Sequence, residues 1–154
     1  MSDAQIQGNL DRQLDPAYRP VELIIEELLL DAKSFDEAVD ALLYRKVTSA
    51  GFLIVGGIRD NQGVVISRES EGTVNQNWLG LNDDTTNWFL VQTNKDPWRQ
   101  DDKRYNTAMN NMEKLGRKGV SKDGTDIIEQ VLWQPGVLQY DTIYTGVVTA
   151  ASDT

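Results

Sequence analysis

The chain has 154 residues, of which 40% are hydrophobic and 25% charged, the make-up of one globular domain and not of a disordered tail. It contains neither cysteine nor histidine, which excludes disulfides, thiolate or imidazole metal sites, a cysteine nucleophile and a Ser–His triad. A net charge of −9 and a pI near 4.4 argue against nucleic acid as a partner, since phosphate neutralisation needs a basic face. No apolar run is long enough to span a membrane, and no secretory leader is legible.

Residues 1–19 are polar, with Gly8 and Pro16 among them, and read as a flexible lead. Pro20 opens a helix at the one place where a missing N–H costs nothing. Val21, Ile24, Ile25, Leu28 and Leu29 then mark one buried stripe. Ser34 reads as an N-cap, and Glu37 three residues later completes a capping box. Phe35, Ala38, Val39, Leu42 and Leu43 repeat the stripe, so two amphipathic helices stand in a row.

The period then shortens. Ala50–Gly57 is nearly continuous apolar sequence bounded by glycine, as expected of a strand buried on both faces. Asp60, Asn61 and Gly63 supply turn chemistry, and Gly63–Arg68 is the returning strand of a hairpin. Thr73–Trp78 is a weaker strand, Asn82, Asp83 and Asp84 mark a turn, and Thr86–Thr93 is a strong strand. Helices return at Tyr105, Ala108, Met109 and Met112, ended by Gly116, and again at Ile127, Ile128, Val131 and Leu132, with Thr125 or Asp126 as cap. Asp141–Ala151 closes the chain as a strand. The order ααββββααβ implies a layered α+β arrangement. Its strands leave an apolar edge, which is a liability, so the sheet is expected to need strands from lost sequence, a partner chain or self-association.

Charge is uneven. Between Lys95 and Lys122 lie eight of the 15 basic residues against four acidic ones, a net of +4 that leaves −13 elsewhere. This segment is either a solvated helix with its flanking loops, or a positive rim around a site or docking face for another chain.

Four stretches carry a resemblance: FLIVGGIRDNQGVVISR at Phe52–Arg68, WFLVQTNKDPW at Trp88–Trp98, DDKRYNTA at Asp101–Ala108, and the late TIYTGVVTAAS. In this order and spacing they resemble the C-terminal, β-subunit part of the acid ceramidase and N-acylethanolamine acid amidase family, over roughly residues 20–151. The resemblance implies an N-terminal-nucleophile hydrolase with an αββα sandwich, of which residues 20–154 would be an incomplete, C-terminal part holding two helix pairs and about five mostly antiparallel strands. It implies a cysteine nucleophile exposed by self-cleavage, its own α-amine as base, and an acyl-enzyme from an N-acyl lipid amide. It implies no cofactor and no metal, and a lysosomal or secreted location. The family's oxyanion asparagine falls on Asn94, and its active-site arginine on Lys103, with Arg104 beside it. Trp88 and Trp98 are packing residues or walls of an acyl-chain pocket.

The departures are as informative. The nucleophile has no counterpart, Lys103 lacks arginine's planar fork, and the loop from Trp98 to Asp101 is short. The family's closing strand after the TIYT stretch is missing, and truncation at both ends would explain the absent partner strands. Ser2, exposed after loss of Met1, opens a polar lead and not a buried strand, so it is a poor substitute. Asp101 and Asp102 are either a carboxylate pair for acid–base or metal work, or a cap paired with Lys103 or Arg104. Asn94 and Asp96 each also suit a plain turn. The expected function is a C-terminal fragment or separated portion of an amidase on ceramide-type or N-acylethanolamine-type substrates, inactive alone and dependent on a complementary N-terminal segment or subunit. The alternative is a degenerate, non-catalytic member acting as a lipid-binding or interaction module.

Overall fold

A computed structural model describes residues 3–80, 87–96, 98–99 and 101–150, with Gln5 described by its backbone. Ser2, the turn at Asn82, Asp83 and Asp84, Thr86, Pro97 and Ala151 lie outside the described residues. The chain forms two compact units, Met1–Trp78 and Leu79–Thr154.

The first unit contains α1 (Asp3–Leu14), α2 (Val21–Asp31), α3 (Phe35–Tyr44) and an antiparallel sheet of β1 (Gly51–Gly56), β2 (Gly63–Arg68) and β3 (Thr73–Trp78), in the order β1-β2-β3. Val21, Ile24 and Leu28 of α2 and the stripe of α3 meet the sheet in a core centred on Ile24, Val39, Leu42, Leu43, Val47, Val64 and Ile66. Ile25 and Leu29, expected in the buried stripe of α2, are exposed because the helix turns only its i, i+3, i+7 row to the core. The start of α3 follows the capping logic. Ser34 Oγ accepts the Glu37 N–H at 3.1 Å, and the Glu37 carboxylate reaches back to the Lys33 N–H at 3.0 Å, one residue before the cap itself.

Two expectations are corrected here. The stretch expected as a flexible lead holds α1, whose Ile6, Leu10 and Leu14 recur every four residues, and Arg12 Nε donates to Thr48 O at 3.2 Å. The apolar run at 50–57 forms β1, but β1 is an edge strand with Ile54 73% exposed. The strand buried along its whole length is β2. Connectivity explains this: in a three-stranded meander the middle strand of the chain is the middle strand of the sheet, whichever run is more apolar.

Arg68, at the end of β2, gives no signal in sequence. It is buried, 4% exposed, and donates to Leu42 O and Arg45 O at the C-terminus of α3. A helix C-terminus presents unpaired carbonyls and partial negative charge, which a cation satisfies.

The second unit is built around α4 (Lys103–Leu115) and a short α5 (Thr125–Ile127) that runs into a π-turn over Ile128–Leu132, where Trp133 N–H reaches Ile128 O at 2.8 Å. Gly116 ends α4 at φ 65°, as expected of a glycine stop. Asp123, rather than Thr125 or Asp126, supports the start of α5, accepting the Thr125 N–H at 3.2 Å. Ala108, Met112, Val131 and Val137 form the core, with Trp88, Phe89 and Val91 packed against it.

No ladder forms at 87–93 or at 141–150, where two strands were expected, so the described sheet holds three strands and not about five. A strand exists only through the neighbour that takes its N–H and C=O groups. No pairing partner stands beside either run among the described residues. In the second run Ile143, Tyr144 and Val148 are almost fully exposed, as is Tyr140 just before it.

Candidate functional site

The candidate site residues Trp88, Asn94, Trp98, Lys103 and Arg104 all lie in the second unit, in the 87–99 stretch and at the start of α4. Asn94 sits on the exposed bend of that stretch. Its neighbour Thr93 donates its hydroxyl to Asp102 Oδ2 and accepts the Lys95 N–H at 3.3 Å. Gln92 Nε2 donates to Thr93 O at 2.7 Å and to Lys95 O at 3.0 Å. The bend is therefore tied by side chains on both sides of Asn94.

Asp102 is the N-cap of α4. Its Oδ1 accepts the N–H groups of Arg104 at 3.0 Å and Tyr105 at 3.1 Å. It is 5% exposed. Burial pushes its carboxyl up, but the hydrogen bonds from Thr93, Tyr105 and Arg104, with Lys95 nearby, outweigh that and hold it below its ordinary range. Asp101 points elsewhere: it pairs with Arg99 at 3.2 Å and is exposed, and that hydrogen bond holds its carboxyl low. The two aspartates thus do separate jobs. Capping is realised at Asp102, while the pairing with Lys103 or Arg104 is replaced by Thr93 and Arg99. Among the described residues no group of acidic side chains is arranged to hold a metal ion.

The basic pair also divides. Arg104 Nε donates to Val137 O at 3.0 Å and is half-buried. Lys103, on the first turn of α4, is exposed, with no side-chain hydrogen-bond partner among the described residues. Trp88 is half-buried in the second core, edge-on to Phe89 with ring centroids 4.8 Å apart. Trp98 is 55% exposed. The structure therefore brings Asn94 and the start of α4 to one junction, places Trp88 in packing, and leaves Trp98 and Lys103 in solvent. Gln92 and Thr93 had no separate signal in the sequence. The part of Thr93 is set by a hydrogen bond spanning nine residues to Asp102, which no local pattern encodes, and Gln92 acts through the carbonyls of Thr93 and Lys95.

No family model matches the chain. Comparison with curated proteins is more informative. The chain is 35% identical over 127 residues to the N-acylethanolamine-hydrolyzing acid amidase of Caenorhabditis elegans, covering 81% of this chain and 35% of that protein. It is 33% identical over 147 residues to the same enzyme of Oryctolagus cuniculus, covering 94% and 40%. It is 28% identical over 136 residues to the acid ceramidase of Rattus norvegicus, covering 86% and 33%. Among solved structures, the Caenorhabditis elegans amidase ortholog superposes with a TM-score of 0.72 at 34% identity, over 88% of this chain and 55% of that one.

The fold is α+β, of the N-terminal-nucleophile hydrolase type. The chain belongs to the family of the N-acylethanolamine-hydrolyzing acid amidases and acid ceramidases, a family of N-acyl lipid amide hydrolases. It spans well under half the length of the curated relatives it matches.

Proposed function

We propose that this chain is the C-terminal share of an amidase acting on N-acyl lipid amides of the ceramide or N-acylethanolamine type, with the nucleophile on a complementary N-terminal segment or subunit. Residues 20–154 then form the C-terminal part of an N-terminal-nucleophile hydrolase domain. The nucleophile is placed elsewhere because the family's thiol has no counterpart in a chain without cysteine.

In this reading the complementary nucleophile attacks the amide carbonyl, the C–N bond breaks, and the amine leaves with a proton. Water then hydrolyses the acyl-enzyme. The Asn94 side-chain amide donates to the oxygen that turns anionic at each tetrahedral stage. Lys103 supplies positive charge beside it. Arg104 braces the helix start through Val137 and keeps its remaining N–H groups for the site. Trp98 is the better acyl-chain contact, because Trp88 is already committed to packing.

The observation that carries this reading is the junction itself: the residues matching the family's oxyanion and basic positions flank one buried carboxylate, Asp102. The exposed Tyr140, Ile143, Tyr144 and Val148 add support, since a run so rich in strand-forming residues is normally covered by a partner.

The test is complementation. The purified chain is assayed for N-acylethanolamine hydrolysis alone, and again with the remaining portion of the Caenorhabditis elegans relative. Turnover is expected only in the second case. Replacing Asn94 by alanine is expected to cut it about 100-fold or more, as loss of one oxyanion donor does. Turnover by the chain alone after stringent purification would place the nucleophile on it. Absence of turnover in the complemented pair would favour a non-catalytic module.

A further inference from the structure

We propose that Asp102, Thr93 and Gln92 are positioning residues that fix the direction in which Asn94 presents its side-chain amide. The functional weight of this rests on the reading of Asn94 as an oxyanion donor. The clamp itself stands on geometry.

An N-cap needs one carboxylate oxygen, and the other normally faces water. At Asp102 the first oxygen serves both α4 N–H groups, and the second takes the Thr93 hydroxyl within a residue only 5% exposed. Because an ionised carboxylate only accepts, the Thr93 hydroxyl is forced to donate to it. That turns the free lone pairs of Thr93 Oγ1 toward the Lys95 N–H, 3.3 Å away. Gln92 Nε2 holds the carbonyls of Thr93 and Lys95 from the other side.

The peptide units before and after Asn94 are therefore both bound, one through its C=O and the other through its N–H. A loop residue whose flanking peptides are bound has its Cα–Cβ direction set, although its side chain remains in the open. Preorganisation of this kind is what an oxyanion donor needs, because a donor that must be turned into place during the reaction loses much of its effect. The clamp is anchored on the rigid end of α4, so it also ties Asn94 to Lys103, the residue directly after the cap.

The experiment is backbone amide exchange by NMR on the full chain, paired with kinetics of the complemented enzyme. Thr93→Val keeps the shape of the side chain and the α4 cap but deletes the hydroxyl. The expected result is an exchange rate at the Lys95 amide raised about tenfold, with Arg104 and Tyr105 unchanged, and recovery in Thr93→Ser. In the complemented enzyme kcat is expected to fall about tenfold at constant KM, again recovering in Thr93→Ser.

Unchanged exchange at Lys95 in Thr93→Val overturns the clamp. Raised exchange at Lys95 with unchanged kcat upholds the clamp and removes Asn94 from the reaction, so the two readings fail separately. Should Thr93→Val not fold, Asp102→Asn serves, since it keeps a capping oxygen while putting an amide where Thr93 expects an acceptor. Faster Lys95 exchange supports the clamp there also, and wild-type exchange overturns it.

Discussion

Replacement of Arg68 by methionine tests the most heavily buried charge of the first unit. Arg68 donates to Leu42 O and Arg45 O, and no acidic side chain is bonded to it among the described residues. Each bond from a charged donor contributes about 1.5–3 kcal/mol, so the two together stabilise by roughly 3–6 kcal/mol. Against this stands the burial of the guanidinium, whose Nε finds no partner among the described residues. Methionine fills similar space, removes that burial cost and leaves two carbonyls at the end of α3 without donors. The net expected loss is about 2–4 kcal/mol. With a urea dependence of about 2 kcal/mol per molar, the melting midpoint falls by roughly 1–2 M. Arg68→Lys keeps the charge but reaches one carbonyl at a time, and should lose about half as much. The assay is a urea melt followed by far-UV circular dichroism, with amide exchange in β2 as the local check. A methionine variant that melts at or above the wild-type midpoint would refute the reasoning: the cost of burying the cation would then equal or exceed the worth of its bonds.

Three further outcomes are expected. Asp102 has its folded-state carboxyl held below its ordinary value, so its contribution to stability is fully present above about pH 4 and is lost as pH falls through the folded value. The stability gap between wild type and Asp102→Asn should therefore close on acidification in urea melts, and a gap constant down to about pH 2 would contradict this. Trp88→Ala should cost about 2–3 kcal/mol because it opens a void beside Phe89, while Trp98→Ala should stay within about 0.5 kcal/mol, both read by the same melts. Arg104→Ala should cost about 1–2 kcal/mol through the lost bond to Val137 O, while Lys103→Ala leaves stability unchanged and lowers turnover only in the complemented enzyme. Equal stability losses at 103 and 104 would show that the two residues share one structural role.

What could be read in advance was what is encoded locally. The helices α2 and α3, the stripe of α3, the Ser34–Glu37 cap, the β1–β2 hairpin and the glycine stop at Gly116 all follow from spacing and backbone preference, although Ile25 and Leu29 of the expected α2 stripe stand exposed. Ile6, Leu10 and Leu14 of α1 also recur every four residues, but polar residues dilute the pattern and all three are exposed, so no buried stripe marked this helix. Arg68 and the Thr93–Asp102 bond were not legible, because each joins positions brought together only by the finished fold. The motif did point to Asn94, Lys103 and Arg104, yet only the geometry separates an engaged Arg104 from an exposed Lys103.

The misread strand before Asn94 shows why such limits arise. An apolar run reports how much surface is to be buried, not which backbone groups will be paired. Trp88, Phe89 and Val91 do bury their side chains against α4 and the π-turn, and so satisfy the hydrophobic signal without any ladder. Their backbone, with no neighbouring strand among the described residues, leaves the polar groups beyond Val91 in need of other partners. Gln92 and Thr93 supply them, with Asp102 orienting the Thr93 hydroxyl. The segment that fails as a strand is thus held by side chains, and that substitution places a bend bonded on both sides, rather than a pleated edge, at Asn94. A ladder would have fixed the backbone by pairing it to a neighbour. Side-chain bonds fix it while leaving the outer face of the bend open, which is the condition an oxyanion donor has to meet.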